Sequence, residues 1–268
     1  MLFRSSFSKV GLVGTGIIGE ALIEVLLRSA LSKESLFIAE KRQERRDEII
    51  NKYGVSEIQN YGSLDAILLA VKPQDFMAPL EIISDSLSDS TLIVSFAAGI
   101  KIKSIEEKLG KGLRVIRVMP NTPMVMGRGL SAMSLGSAAT SDDKKWVKGL
   151  LSNAGEVIVI DESLQDAVTA TSGSGPAYYF AFTEAVVGAA RRLGISQEDA
   201  VTLASQTLIG AALMVEKSGR ELKTLRENVT SPNGTTAAAL KCFTDSGLEE
   251  FVYQAMKAAH DRSIELSS

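Results

Sequence analysis

The segment from Lys9 to Leu31, KVGLVGTGIIGEALIEVLLRSAL, leaves few folds open. A short apolar run meets glycines at Gly14, Gly16 and Gly19, and apolar residues then recur at helical spacing. Strand, glycine turn and helix follow in that order. The G-x-G-x-x-G spacing has a mechanical reading. The first glycine makes a tight turn, the second lets backbone approach a pyrophosphate, and the third lets helix meet strand closely. By itself the pattern also occurs as a glycine turn without function, so its context decides. A second strand, SLFIAE, ends at Glu40, where a dinucleotide-binding unit reads the adenosine ribose. A dinucleotide is therefore expected along Gly14, Thr15, Gly16, Ile17, Ile18 and Gly19.

Further apolar runs follow at AILLAV (Ala66 to Val71), TLIVSFAAG (Thr91 to Gly99), RVIRVMP (Arg114 to Pro120), LSAMSLG and EVIVID (Glu156 to Asp161). Helical segments such as RRDEIINKYG, DFMAPLEIISDSL and IKSIEEKLG lie between several of them. This alternation predicts a doubly wound, largely parallel sheet in an α/β domain spanning 1–161. Ligands of such sheets lie beyond the carboxyl ends of the strands. The exits KPQ, AAG and PNTP, the last with Asn121, should face the cofactor, although each read alone is only a loop.

Composition narrows the alternatives. A hydrophobic fraction of 45% over 268 residues is ample for a real core, and a formal net charge of -3 argues against nucleic acid or an anionic membrane as the partner. One cluster, EKRQERR, Glu40 to Arg46, is locally basic. One cysteine, Cys242, and one histidine, His260, give little material for a disulfide framework, a metal site or a His-based triad. No apolar stretch approaches a membrane span or a signal peptide, and a cytoplasmic location is expected by default.

After Asp161 the pattern is helical throughout, which predicts an all-α region over 162–268. Pro176, after two glycines, marks one helix start, and Ser196 with Asp199 marks the next. The helix carrying Glu184 is otherwise apolar and rich in small residues, including Ala177, Ala181, Ala185, Gly188 and Ala189. A region this small and apolar is expected to complete its core against a second copy, although packing within one subunit also explains the small residues. A final stretch, NVTSPNGTTAAALKCF from Asn228 to Phe243, sets a turn before a helix beginning at Thr235. Its first amides lack intrahelical partners and suit a carboxylate or phosphate. The alternative is an ordinary cap, in which Ser or Thr side chains satisfy those amides.

In order, GLVGTGIIG, AVKPQ, SFAAG, RVMPNTP, SGSGPAYYF and NVTSPNGTT strongly resemble the pyrroline-5-carboxylate reductase family, over nearly the whole chain. The resemblance implies a Rossmann domain binding NADPH or NADH, and a helical domain interlocked with its twin. It also implies active sites at the dimer interface and, at the largest, a decamer of five dimers. The activity implied is reduction of 1-pyrroline-5-carboxylate to L-proline, the last step of proline biosynthesis.

Carried onto this chain, the resemblance has Gly14 to Gly19 hold the pyrophosphate. Asn60, Ala70, Val71, Lys72, Pro73, Ala97, Ala98, Gly99 and Asn121 border the cofactor, while Glu162 and Asn228 approach its nicotinamide side. Ser174, Gly175, Ser231, Asn233, Gly234, Thr235 and Thr236 receive the substrate, whose carboxylate meets the helix start. The hydroxyl of Thr236 is the catalytic group, bonded to the ring nitrogen.

Two departures stand out. Asn233 replaces a usual glycine, so that the turn must tolerate an asparagine. Glu40 favours the ribose hydroxyl of NAD, whereas Lys41 and Arg42 beside it suit the 2′-phosphate of NADP, which leaves both cofactors open. A β-hydroxyacid dehydrogenase shares the plan but relies on a lysine in the helix after its interdomain glycines, and PAYYFAFTEAVVGAARRLG has none. A nucleotide-binding regulator without turnover keeps GTGIIG but has no need of the polar helix start.

Overall fold

The computed structural model describes residues 7–29, 31–110 and 112–266. Two compact units emerge, one taking in the chain up to Ser174 together with the stretch from Ala259 onward, the other Gly175–Ala258. The first unit is built on an 8-stranded sheet. Its strands are β1 (Val10–Val13), β2 (Leu36–Ala39), β3 (Ser56–Glu57), β4 (Ala66–Leu69), β5 (Leu92–Ser95), β6 (Arg114–Pro120), β7 (Gly129–Leu135) and β8 (Gly155–Val159). Helices α1 (Ile17–Arg28), α2 (Gln43–Tyr53), α3 (Met77–Ser84), α4 (Ile102–Leu109), α5 (Ser141–Leu151) and the short α6 (Gln165–Val168) connect or follow them.

Strand order is β3-β2-β1-β4-β5-β6-β7-β8. Pairing is parallel from β3 to β6, antiparallel between β6 and β7, and parallel again between β7 and β8. The chain starts in the centre and winds outward both ways, so the order reverses between β1 and β4. A crevice opens there beyond the strand ends.

Every residue of β1, β4 and β5 is buried, as expected when helices cover both faces. Alternate side chains feed two cores. Leu12, Leu68, Val94 and Ile116 pack on one side with Leu22 and Ile49, while Val13, Ile67, Ile93 and Val115 pack on the other with Leu80 and Ile105.

The second unit holds α7 (Gly175–Arg192), α8 (Gln197–Ser218), α9 (Leu222–Asn228), α10 (Thr235–Asp245) and most of α11 (Leu248–Glu265), whose closing turns belong to the first unit. Helix α7 starts one residue before Pro176, and the Ser196 side chain accepts from Asp199 N to cap α8. Burial here is sparse. Helices α9 and α10 bury no residue, and α8 buries only Ala200 and Ala204. Meanwhile Phe180 is 63% and Phe251 72% exposed. Helices α8 and α9 also flank an apolar groove of about 600 Å³ lined by Gly210, Met214, Leu222 and Val229. A helical unit with Phe180 and Phe251 outside has little core of its own.

Candidate active site

Three glycines shape the turn after β1, each for its own reason. Gly14 has φ 91°, and a Cβ there would lie 2.7 Å from Ala70 O. A Cβ on Gly19 would overlap Gly14 O, so any side chain would push α1 off the strand. Above Gly16 there is open space, with nothing within 4 Å of where its Cβ would be. No side chain caps α1 at Gly16. Its first amides and the positive end of the helix dipole thus border room for an anion.

The basic cluster after β2 packs against the glycine turn and the start of α1. Thr15 is fully buried, and its N–H and hydroxyl donate to Glu40 Oε2 at 3.1 and 2.9 Å. Arg45 Nε donates to Thr15 O at 3.0 Å and pairs with Glu20, which also accepts from Lys52 Nζ at 2.7 Å. The end of β2 and the face of α2 therefore bracket the glycine turn from both sides. Hydrogen bonds from Lys52, Arg45 and Tyr53 bring the Glu20 carboxyl down to about 2 despite some burial. Burial pushes the Glu40 carboxyl up, but bonds from Arg42 and Thr15 outweigh it and hold it at about 2. Glu40 is thus an anion committed to protein donors. Arg42 Nε bonds Glu40 at 2.9 Å, and Lys41 Nζ reaches Asp75 at 2.8 Å, both cations being mostly exposed.

The other expected cofactor neighbours fall at strand exits, as the doubly wound plan requires. Ala70 N donates to Val13 O at 2.8 Å, which ties AVKP to β1, and Pro73 opens a 3₁₀ turn. Ala97 and Gly99 are buried after β5, with Ala98 half-buried between them and Gly99 at φ 78°. Asn60 lies exposed, its Oδ1 accepting from Gly62 N at 2.9 Å. Asn121 spends its amide internally. Its Nδ2 donates to Ser172 Oγ at 3.1 Å and its Oδ1 accepts from Leu130 N at 2.8 Å. Glu162 Oε1 accepts from Ile102 N at 2.7 Å and from Arg117 Nη1 at 3.2 Å. Arg117 escaped the sequence reading, although a lone arginine inside the apolar run RVIRVMP was a visible signal.

In the second unit, Gly234 N donates to Ser231 O at 3.0 Å. With Pro232 second and Asn233 third at φ 60°, the turn matches type II. Asn233 is the non-glycine residue with positive φ among the described residues, so this asparagine takes up the left-handed place. A Cβ on Gly234 would strike Ser231 Oγ. Gly234 is the N-cap of α10 and no side chain caps that helix. The ordinary-cap alternative is thereby set aside. Thr235 is exposed and Thr236 half-buried in the first turn. Ser174 N closes a π-helical turn on Thr169 O at 2.8 Å, just before Gly175 begins α7. Asn228 ends α9 in an exposed position.

A glycine cradle at the switch point of a Rossmann sheet, followed by a helical unit with little core, defines a dinucleotide-dependent oxidoreductase of the two-unit kind. Residues 162–266 match the family model for pyrroline-5-carboxylate reductase dimerisation, and residues 9–99 that for NADP oxidoreductase, coenzyme F420-dependent. The pyrroline-5-carboxylate reductase of Corynebacterium melassecola is 39% identical over 264 residues, covering 96% of this chain and 98% of its own. Among solved structures, the pyrroline-5-carboxylate reductase of Coxiella burnetii superposes with a TM-score of 0.90 at 32% identity, over 97% of this chain and 99% of its own. The Plasmodium falciparum pyrroline carboxylate reductase, solved with NADP bound, gives 0.85 at 31%, over 97% and 98%. The chain belongs to the pyrroline-5-carboxylate reductase family.

Proposed function

We propose that this protein reduces 1-pyrroline-5-carboxylate to L-proline with NADPH or NADH, the final step of proline biosynthesis. The observation that carries the reading is full-length kinship at 39% identity, together with the uncapped start of α10 behind its type II turn. The nucleotide fits the first unit on structural grounds, because Gly16 alone of the three fingerprint glycines opens onto free space.

When bound, the nicotinamide supplies a hydride to the imine carbon. The protein's own residues bind and orient. We assign the pyrophosphate to the amides of Gly14–Gly19 and the remaining nucleotide border to Asn60, Ala70–Pro73, Ala97–Gly99, Asn121 and Asn228. Lys41 and Arg42 are assigned to the 2′-phosphate of NADPH, which competes with Asp75 and Glu40 for them. The amides that open α10, with Ser231, Asn233, Gly234 and Thr235, hold the substrate carboxylate, alongside Ser174 and Gly175. The Thr236 hydroxyl holds the proton of the ring nitrogen. A protonated imine is already a strong hydride acceptor, so no stronger acid is needed.

The protein assembles with further copies through 162–268, which we take as the substrate and dimerisation region after a nucleotide region over 1–161. Five such dimers joined in a decamer, in the cytoplasm, is the finer reading. Among the described residues no helix is long and apolar enough to cross a membrane. Loss of NAD(P)H absorbance on adding 1-pyrroline-5-carboxylate, with proline as product, tests the activity. Nucleotide binding without turnover would leave only a regulator.

A further inference from the structure

Arg117 lies within β6, opposite Ser95 of β5 and Ser134 of β7, and its side chain is 2% exposed. Charge this deep needs partners. Nη1 donates to Glu162 Oε1 at 3.2 Å. Nη2 stands 3.9 Å from Asp166 Oδ1, outside hydrogen-bond range, and has no other partner among the described residues. The two carboxylates that face the guanidinium each hold a second group. Glu162 Oε1 takes the N–H of Ile102, the first residue of α4. Asp166 Oδ1 takes the hydroxyl of Ser263, in the closing turns of α11, at 2.7 Å.

Both second groups bear on the same turn. Ile102 follows Gly99 by three residues, and Gly99 is buried at φ 78°. A Cβ on Gly99 would meet Ser263 O at 3.2 Å and Leu266 at 3.3 Å, so the end of α11 lies directly against this turn. The Ala97–Gly99 turn is thereby gripped from its α4 side through Glu162 and from its α11 side through Asp166. One guanidinium stands behind both carboxylates.

We propose that Arg117 is a positioning residue for the nicotinamide nucleotide. Through Glu162 and Asp166 it fixes Ala97–Gly99 in the shape that receives the cofactor. The inference rests on the reading of that turn as a cofactor border. Arg117 itself touches no reactant. A turn held in its binding shape saves the ordering that binding would otherwise require, so the loss should fall on nucleotide affinity rather than on the chemical step.

The test uses the full chain and four proteins: wild type, Arg117→Met, Ser263→Ala, and Arg117→Met combined with Asp166→Asn. The double variant relieves one uncompensated carboxylate, leaves Glu162 in place, and so separates folding from positioning. NADPH fluorescence gives Kd, and hydrogen exchange gives the exposure of the Ile102 amide in nucleotide-free protein. Arg117→Met and the double variant should raise Kd by about tenfold, speed exchange at Ile102, and change kcat at saturating nucleotide far less. Ser263→Ala should show a smaller rise in Kd. If the foldable variants bind NADPH as wild type does, with only a lower Tm, the positioning role is overturned and the arginine is structural. A wild type that binds neither NADPH nor NADH removes the reading of the turn, and the positioning role with it.

Discussion

The Glu40 carboxylate accepts both the backbone N–H and the hydroxyl of Thr15, at 3.1 and 2.9 Å. A residue expected to read a ribose hydroxyl also braces the glycine turn. Glu40→Ala should therefore weaken both folding and nucleotide binding, because it leaves a buried N–H without an acceptor at a cost of about 1–3 kcal/mol. The carboxyl is depressed in the folded protein, from 4.5 to about 2. Its stabilising contribution is present above 4.5 and is lost as pH falls toward 2. Urea unfolding of wild type and Glu40→Gln across that range should show the difference between them shrinking with acidity.

Gly16 and Gly19 should respond oppositely to a side chain. Gly16→Val is expected to abolish NADPH binding while Tm stays near wild type, since the new side chain enters open space that we assign to the pyrophosphate. Gly19→Ala should instead lower Tm markedly, because its methyl group would overlap Gly14 O. Calorimetry and a binding titration on the same samples separate the two.

For cofactor choice, Lys41→Ala with Arg42→Ala should raise the KM for NADPH more than that for NADH. Losing a charge-assisted contact to phosphate is worth about tenfold or more. Equal effects on both nucleotides would mark the two cations as partners of Asp75 and Glu40 only.

Thr236→Ala should lower kcat by roughly ten- to a hundredfold, the loss of one hydrogen bond of about 1–3 kcal/mol in the transition state. Thr236→Ser should keep most of the rate. A Thr236→Ala enzyme that melts earlier yet turns over normally in its folded fraction would remove the catalytic assignment.

Sedimentation at micromolar concentration should find no folded monomer of the full chain. The helical unit buries almost nothing on its own and leaves Phe180, Phe251 and Leu193 largely exposed.

The sheet was legible because its signals are local. Glycine spacing, apolar runs and small residues at strand exits each lie within a few positions of one another, and so does the type II turn at Asn233. The clamp around Arg117 was not legible. RVIRVMP reads as a strand whatever its arginine does, and the carboxylates that face it lie 45 and 49 positions further along. Likewise EKRQERR showed its charge but not its bonds to Thr15 and Glu20, which join it only once β2 lies beside β1. Asn121 was expected at a strand exit and stands there, but its amide bonds to Ser172 and Leu130 had no trace in the motif PNTP.

The closing turns of α11 belong to the first unit, and Ser263 bonds Asp166 across 97 positions. On a ribosome adding about 5–20 residues per second, the nucleotide-binding half therefore emerges several seconds before the segment that completes it. During that interval Gly99 lacks its cover, and the Asp166 carboxylate lacks its hydroxyl donor. The nascent sheet can form early, but its last piece arrives only after the whole helical unit has been synthesised. Maturation of the Ala97–Gly99 turn is in this way tied to synthesis of the end of α11, and a chain stopped before Ala259 would keep its strands while missing the final support of that turn.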